Sequence, residues 1–117
     1  MKILLVEDEE ILRELYTKSL SQEGCEVVTA SDGKEALKLL KSMNDIDCIL
    51  SDMKMPFYDG FWLFNQVQKN PKFREIPFHI ISGYLTGSEN VMLKKGVKSI
   101  HAKPLVVEDI MQSISTT

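Results

Sequence analysis

Five short apolar segments alternate along the chain with five segments whose apolar residues recur at helical spacing. The apolar segments lie at residues 2–6, 26–29, 47–51, 77–82 and 98–102. Continuous apolar runs of this length are typical of strands that are covered on both faces of a sheet. Because strands that alternate with helices are joined by right-handed crossovers, the pattern predicts an α/β fold with one parallel sheet between two layers of helices.

The intervening segments predict five helices, two of which carry recognisable end signals. Asp32 is the expected N-cap of the second helix, with Glu35 as its capping-box partner. Gly24 is expected just beyond the end of the first helix. The five predicted helices cover residues 9–23, 32–43, 60–69, 88–95 and 106–115.

The first predicted helix has a wider apolar stripe than a buried face requires. Leu12, Tyr16 and Leu20 form one row at helical spacing and are expected to face the sheet. Ile11 and Leu15 lie roughly 100° further round the helix, so they are expected to remain partly exposed.

Length and composition bound the class of protein. A chain of 117 residues predicts one domain, spanning residues 1–117, with a core of its own. The net charge of -3 gives no reason to expect nucleic-acid or membrane binding by bulk attraction. Cys25 and Cys48 form no metal-binding or CxxC pattern, so they are interpreted as reduced thiols of a cytoplasmic protein.

Chemically active side chains follow most of the predicted strands. Since the carboxyl ends of parallel strands share one edge of the sheet, the residues at those ends are expected to lie close together. The third apolar run ends in Asp52, and a turn containing Pro56 and the Asp59-Gly60 pair follows it. The strand exits carry Glu7 with Asp8, Thr29 with Ala30, then Asp52, Ser82 and Lys103.

These residue types together suit phosphoryl transfer onto a carboxylate. Glu7, Asp8 and Asp52 would repel one another and raise each other's pKa unless a cation lay between them, and Mg²⁺ is the expected oxygen-bound ion. Lys103 can neutralise a phosphoryl oxygen and Ser82 can donate a hydrogen bond to it. Taken singly, Asp52 could instead be a turn or capping residue, and Ser82 could cap the next turn.

The motifs VEDEE, SDMKMPFYDG, IISG and AKP occur in this order across essentially the whole chain. In this order and spacing the chain resembles the receiver domain of two-component response regulators. The resemblance implies a flavodoxin-like, doubly wound sheet with strand order 2-1-3-4-5. It also implies that Asp52 accepts a phosphoryl group from a phosphohistidine on a sensor histidine kinase or a histidine phosphotransfer protein.

The resemblance implies roles for further residues. Mg²⁺ would be held by Glu7, Asp8, Asp52 and the backbone carbonyl of Lys54. Ser82 and Lys103 would take the places of the phosphate-sensing hydroxyl and the lysine of the family, and the Lys103–Pro104 bond would be cis. Ile11 and Leu15 match the surface that relatives present to the histidine-bearing partner. A dimer through the fourth helix, fifth strand and fifth helix is a further implication.

Two positions depart from the family pattern. Ile100 occupies a place that is usually aromatic, and a β-branched side chain is stiff about χ1. The hypothesis is that the signalling change is muted or runs mainly through residues 83–96. Lys54 follows Asp52 by two residues and is either a solvent-facing lysine or a residue that shields the phosphoaspartate from water. His79 and His101 are interpreted as packing or loop residues and not as phosphoryl carriers.

Three functions are compatible with these residues. The leading prediction is a phosphorylation-switched signalling module that is not an enzyme with a diffusible substrate. An alternative is a pseudo-receiver, a binding module of the same fold that signals without phosphorylation. The third is a Mg²⁺-dependent phosphohydrolase with an aspartyl nucleophile, although such enzymes usually carry a second Asp at the place of Lys54.

Overall fold

The computed structural model describes residues 1–83, 87 and 89–115. The strands and helices alternate without exception along the described part of the chain, as predicted. The strands are β1 (Lys2–Val6), β2 (Glu26–Ala30), β3 (Cys48–Asp52), β4 (Phe78–Ser82) and β5 (Ser99–Ala102). The helices are α1 (Glu10–Gln22), α2 (Gly33–Ser42), α3 (Gly60–Lys69), α4 (Glu89–Lys95) and α5 (Val107–Ser115).

All five strands form one parallel sheet in the order β2-β1-β3-β4-β5. The predicted fold class and strand order are therefore confirmed. Strand order reverses between β1 and β3, which are hydrogen-bonded neighbours at the centre of the sheet. The carboxyl ends of these two strands consequently lie side by side, at the position where doubly wound sheets bind ligands.

The sheet is covered on both faces, because successive side chains of each strand point to opposite sides. Ile3 and Leu5 of β1 pack with residues of α1 and α5, whereas Leu4 and Val6 pack with residues of α2 and α3. Every residue of β3 is buried, which explains its continuous apolar sequence up to Ser51. Among the described residues, no helix combines the length and apolar character that a membrane crossing requires.

The ends of α1 and α2 agree in part with the predicted signals. Gly24 has a φ of 86°, and its N–H donates to the Ser21 carbonyl over 3.0 Å, as expected beyond a helix end. The Asp32 side chain accepts a hydrogen bond from the Glu35 N–H over 2.8 Å. The predicted capping box is incomplete, because the Glu35 carboxylate accepts from the Ser31 hydroxyl (2.7 Å) and the Ser31 N–H (3.4 Å).

Several predicted boundaries are wrong by a residue or two. The most consequential is β3, which begins at Cys48 and includes Asp52, because the ladder with β4 continues to the end of the strand. Asp47, predicted as its first residue, instead accepts a hydrogen bond from the backbone N–H of Lys2. Ser88, the predicted first residue of the fourth helix, lies outside the described residues, as do residues 84–86 of the segment suggested to carry the signal.

The α1 helix presents the two faces that its sequence predicts. Tyr16 and Leu20 are buried against the sheet, and Leu12 packs partly against the same core. Ile11 is 80% exposed and Leu15 is 52% exposed. These two apolar side chains therefore form a surface that the described part of the fold leaves uncovered.

The loop between β3 and α3 contains a strained aromatic residue. Phe57 has a φ of 66° and its side chain is 95% exposed. The Tyr58 N–H donates to the Pro56 carbonyl over 2.7 Å, which makes Phe57 the central residue of a γ-turn. A non-glycine residue in this conformation is held there by its surroundings at the expense of stability.

We expect Phe57→Gly to be more stable than Phe57→Ala by about 1 kcal/mol, because glycine has no Cβ to oppose a positive φ. Phe57→Ala is the matched control, since it removes the same exposed ring and keeps the Cβ. Urea denaturation would measure both free energies of unfolding. Equal stability of the two variants would show that the turn is not strained.

Candidate functional site

Three acidic side chains meet at the carboxyl ends of β1 and β3. Glu7 continues the β1 ladder, since its N–H donates to the Ala30 carbonyl over 3.0 Å, and its side chain is fully buried. Asp52, the last residue of β3, is 3% exposed, and Asp8 is half-buried. One carboxylate oxygen from each of the three residues lies within 4.8 Å of the other two. The predicted convergence of Glu7, Asp8 and Asp52 is therefore present.

The fifth strand delivers a lysine to the same cluster. The Lys103 N–H donates to the Ser82 carbonyl over 2.8 Å, and the Lys103–Pro104 bond is cis, as the resemblance implies. The Lys103 Nζ donates to Asp52 Oδ2 over 2.9 Å and lies 3.0 Å from Glu7 Oε1. One ammonium group thus lies between two buried carboxylates.

The electrostatics of this cluster are dominated by burial. Burial, with a smaller contribution from the charge of Asp52, raises the pKa of Glu7 to about 7 against the opposing effects of the Glu9 N–H and Lys103. Burial also raises the pKa of Asp52, against the opposing ion pair with Lys103. For Lys103, burial would lower the pKa, but the two carboxylates outweigh it and raise the pKa overall.

The donor set fits a hard divalent cation. Three carboxylates face one ammonium, so the cluster lacks positive charge when all three are ionised. Glu7 Oε1 is buried, and the Lys103 ammonium, 3.0 Å away, is shared with Asp52. Clustered carboxylate oxygens of this kind are the ligands that Mg²⁺ or Ca²⁺ prefers.

The turn after β3 holds Asp52 in place. The Gly60 N–H donates to the Met53 carbonyl over 2.9 Å, and a Cβ at Gly60 would lie 2.4 Å from the Asp52 carbonyl oxygen. Asp59 caps α3 by accepting from the Trp62 N–H over 2.8 Å. Because Asp59 is the cap and Asp52 pairs with Lys103, the alternative interpretation of Asp52 as a capping residue is wrong.

The remaining predicted site residues lie at the same edge of the sheet. Ser82 is the last residue of β4 and is half-buried, and its backbone is joined to Lys103. Lys54 follows Asp52 by two residues and has an exposed side chain. The roles of the Ser82 hydroxyl and of the Lys54 carbonyl stay predictions. Ile100 is half-buried and packs against the core on the α2 and α3 side of the sheet.

Arg13 is a site residue that the sequence did not indicate. Its Nη1 donates to the Glu7 carbonyl over 2.9 Å and lies 3.5 Å from the Asp8 carbonyl. The guanidinium therefore ties the first turns of α1 to the backbone that carries both acids. The signal is weak, because an arginine three residues after a run of acids normally indicates only an exposed helix pair.

Comparison with known proteins agrees with this geometry. Residues 3–115 match the family described as the response regulator receiver domain. The chain is 32% identical to the sensor histidine kinase RcsC of Escherichia coli K12 over 98% of its own length, but it spans only 12% of that protein. It is 30% identical to the chemotaxis protein CheY1 of Helicobacter pylori strain 26695, covering 97% of this chain and 94% of CheY1.

Solved structures show the same fold. A response regulator receiver domain protein from Clostridium thermocellum superposes with a TM-score of 0.88 at 28% identity, covering 98% of this chain and 91% of that structure. The chemotaxis protein CheY4 of Vibrio cholerae superposes with a TM-score of 0.89 at 27% identity, covering 98% of this chain and 96% of that structure. With the acidic cluster and the lysine in place, the chain belongs to the response regulator receiver domain family.

Proposed function

We propose that the chain is a phosphorylation-switched receiver domain and not an enzyme acting on a diffusible substrate. Asp52 accepts a phosphoryl group from a phosphohistidine of a sensor histidine kinase or a histidine phosphotransfer protein, and the domain signals by changing conformation. The observation that carries the proposal is the Asp52 carboxylate at the end of β3, paired with Lys103 over 2.9 Å within an acidic cluster.

The transfer requires an oxygen nucleophile and compensation of charge. An Asp52 carboxylate oxygen attacks the phosphorus while the phosphorus–nitrogen bond to the donor histidine breaks. The donor ring, protonated on its other nitrogen, leaves as a neutral imidazole, and an acyl phosphate forms on Asp52. Lys103 is a point charge beside the acceptor that can pair with a phosphoryl oxygen. The Ser82 hydroxyl is proposed to donate a hydrogen bond to another phosphoryl oxygen.

We propose that Mg²⁺ is the cation of the acidic cluster. Its ligands would be Glu7, Asp8, Asp52 and the Lys54 carbonyl, and the bound ion would neutralise charge on the incoming phosphoryl group. The support is the cluster of Glu7, Asp8 and Asp52, whose carboxylate oxygens lie within 4.8 Å of one another beside a single ammonium group.

Acetyl phosphate with Mg²⁺ is expected to add one phosphoryl group to the wild-type chain, detected by intact mass and located by peptide mapping. Asp52→Asn should abolish the addition, because an amide is not a nucleophile of this kind. Asp45→Asn, at an exposed aspartate, is the control and should behave like wild type. Phosphorylation of wild type that persists in a metal chelator would contradict the Mg²⁺ requirement.

An unmodified wild-type mass under these conditions would favour the pseudo-receiver alternative. Hydrolysis of a generic phosphoester with turnover would favour the phosphohydrolase. Both alternatives would therefore be separated from the proposed function by the same protein preparation.

Lys103 also holds the cluster together before any phosphoryl group arrives. We expect Lys103→Met to lower the free energy of unfolding by about 3 kcal/mol at pH 8, because the variant leaves Glu7 and Asp52 buried without their counter-ion. The loss should shrink as the pH falls towards 5.5. Carboxyl groups with raised pKa values then become protonated, and a neutral carboxyl group tolerates burial.

Lys2→Met is the matched control for Lys103→Met. Lys2 also contacts two carboxylates, those of Glu26 and Asp45, but both are well exposed, at 71% and 61% of their side-chain surface. Its loss should change stability far less and without the same pH dependence. Equal effects of the two variants in guanidinium denaturation would show that the Lys103 pairs are not a buried network.

The exposed face of α1 is proposed to receive the histidine-bearing partner through Ile11 and Leu15. We expect the double variant Ile11→Ser, Leu15→Ser to slow phosphotransfer from the partner by roughly tenfold, because two apolar contacts are lost. Phosphorylation by acetyl phosphate should be unchanged. Lys38→Ser with Lys41→Ser, which alters exposed residues of α2, is the control. Equal loss with both donors would contradict a docking role.

The proposal also covers dimerisation, the cellular location of the protein and the lifetime of the phosphoaspartate. Dimerisation through α4, β5 and α5 is supported by exposed Val91, Leu93 and Val106 near that face. A cytoplasmic location is proposed from the two buried free cysteines, Cys25 and Cys48. Lys54 is exposed beside the acceptor strand, where it could lengthen the phosphoaspartate lifetime by shielding it from water.

A further inference from the structure

A chain of three polar side chains joins β4 to β5 beneath α5. His79 of β4 is paired across the ladder with Ser99 of β5 and is fully buried. Its Nδ1 lies 2.7 Å from Ser99 Oγ, and the same oxygen lies 2.8 Å from His101 Nε2. Polar groups at buried positions of this kind require an account of every hydrogen bond that they make.

The face of the sheet follows from the register. His79 and Ile81 point to the same side of β4, and Ile81 packs in the core formed with α1 and α5. Ile100, between Ser99 and His101, points to the opposite side, against the α2 and α3 core. The polar chain and the residue at the usual aromatic position therefore occupy different faces of β5.

The number of protons in this chain is fixed by its chemistry. Two neutral histidines and one serine make two contacts, and each contact needs one hydrogen. The Ser99 hydroxyl has one hydrogen to donate and can also accept, so the two rings cannot both act as acceptors towards it. If both rings donated to Ser99 Oγ, its hydroxyl hydrogen would have no acceptor among the described residues, where the two histidines are its partners. The arrangement without an unsatisfied donor therefore has one ring donating to Ser99 and Ser99 donating to the other.

The burial of His79 selects between the two arrangements. His79 Nε2 is buried and has no hydrogen-bond partner among the described residues. If this nitrogen carried the hydrogen, His79 would have a buried N–H donor without an acceptor, which folded proteins rarely tolerate. The hydrogen of His79 is therefore assigned to Nδ1, which donates to Ser99, and Ser99 donates to His101 Nε2.

We propose that His79, Ser99 and His101 form a proton-responsive lock between β4 and β5, in which protonation of His101 reverses its hydrogen bond with Ser99 and leaves one donor of the three residues without an acceptor. A proton that enters His101 Nε2 from solvent gives the chain three donors for two contacts. Either the Ser99 hydroxyl turns away from His101 and loses its acceptor, or the Nδ1 proton of His79 leaves and another binds at the buried Nε2. In both cases the two contacts with Ser99 persist, but one donor is left without an acceptor.

Burial and the charges around the two histidines determine how the lock responds to pH. Burial, together with smaller effects of positive charge on His101 and Lys98, lowers the pKa of His79 to about 4. Burial lowers the pKa of His101, and Asp109 on α5 opposes that shift. Since both folded values lie below the ordinary histidine value of about 6.5, the lock is intact above that pH and weakens as the pH falls below it.

The residues of the lock precede two site residues along β4 and β5. Ser82 ends β4 three residues after His79, and Lys103 follows β5 two residues after His101. These ends are joined by the hydrogen bond from the Lys103 N–H to the Ser82 carbonyl. Protonation of His101 is therefore expected to shift the relative positions of Ser82 and Lys103, and its effect on signalling rests on the function proposed above.

The test is nitrogen and amide NMR of the unphosphorylated protein without Mg²⁺, titrated from pH 8 to 5. At pH 8, Nδ1 of His79 should carry the hydrogen and Nε2 of His101 should be bare. As His101 takes up its proton, the ring signals of His79 and the amide signal of Lys103 should shift with the same midpoint. A hydrogen on Nε2 of His79 at pH 8, or independent titration of His101, would overturn the proposal.

Ser99→Ala removes the link between the rings and leaves both histidines in place. In this variant the pKa of His101 should rise towards its ordinary value, and the His79 and Lys103 signals should no longer follow it. Ser42→Ala, at an exposed serine of α2, is the matched control and should titrate like wild type. Persistence of the shared midpoint in Ser99→Ala would also overturn the proposal.

Phosphorylation by acetyl phosphate at saturating Mg²⁺ separates this inference from the proposed function. If the wild-type chain is phosphorylated on Asp52 but the NMR titrations are independent, only the lock is wrong. If the titrations are coupled but no phosphoryl group is accepted, the lock stands and the proposed function is wrong.

Discussion

The buried ion pairs of Lys103 are the interactions on which the site depends. Asp52 and Glu7 each lie at about hydrogen-bonding distance from its Nζ, and neither carboxylate has solvent to stabilise its charge. Burial of an ionised carboxylate is unfavourable unless it is paired, so the acids and the lysine require one another. The compensation is partial, because Asp8 adds a third acid. The excess of negative charge leaves the site suited to bind a further cation, or a charged group that changes which carboxylate pairs with Lys103.

The fold supplies this arrangement by topology and by close backbone contacts. The reversal of strand order between β1 and β3 places Glu7 beside Asp52. Gly60 lets the turn after β3 pass against the Asp52 carbonyl, where a Cβ would not fit. Arg13 holds the backbone of Glu7 and Asp8 from α1. The site is therefore positioned mainly by backbone geometry and only secondarily by its own charges.

The fold and the acidic site could be predicted because their signals are local. Apolar runs, helical spacing and the side chain at each strand exit are read directly from neighbouring residues, and topology then brings the exits together. The contact of Arg13 with the β1–α1 backbone, the γ-turn at Phe57 and the reach of Glu35 to Ser31 could not be predicted in this way. Each depends on a backbone dihedral angle or on the choice of one hydrogen-bond partner among several, and the residue types alone do not determine either. The end of β3 was misplaced for a related reason, since a lone aspartate does not show whether the ladder continues through it.

The hydrogen bonds of His79 and His101 also could not be predicted from sequence, and they bear on signalling. In sequence, His79 and His101 are two polar residues in apolar strands, and packing was a reasonable interpretation. In the structure they are linked through Ser99 on the α5 side of the sheet, whereas Ile100 packs on the opposite side. A β-branched side chain in a packed core has few alternative rotamers, but a hydrogen-bonded chain can change state by moving a proton. Adjustment of β5 should therefore be easier on its polar face, and conformational changes at Lys103 are expected to reach α5 more readily than the core around Ile100.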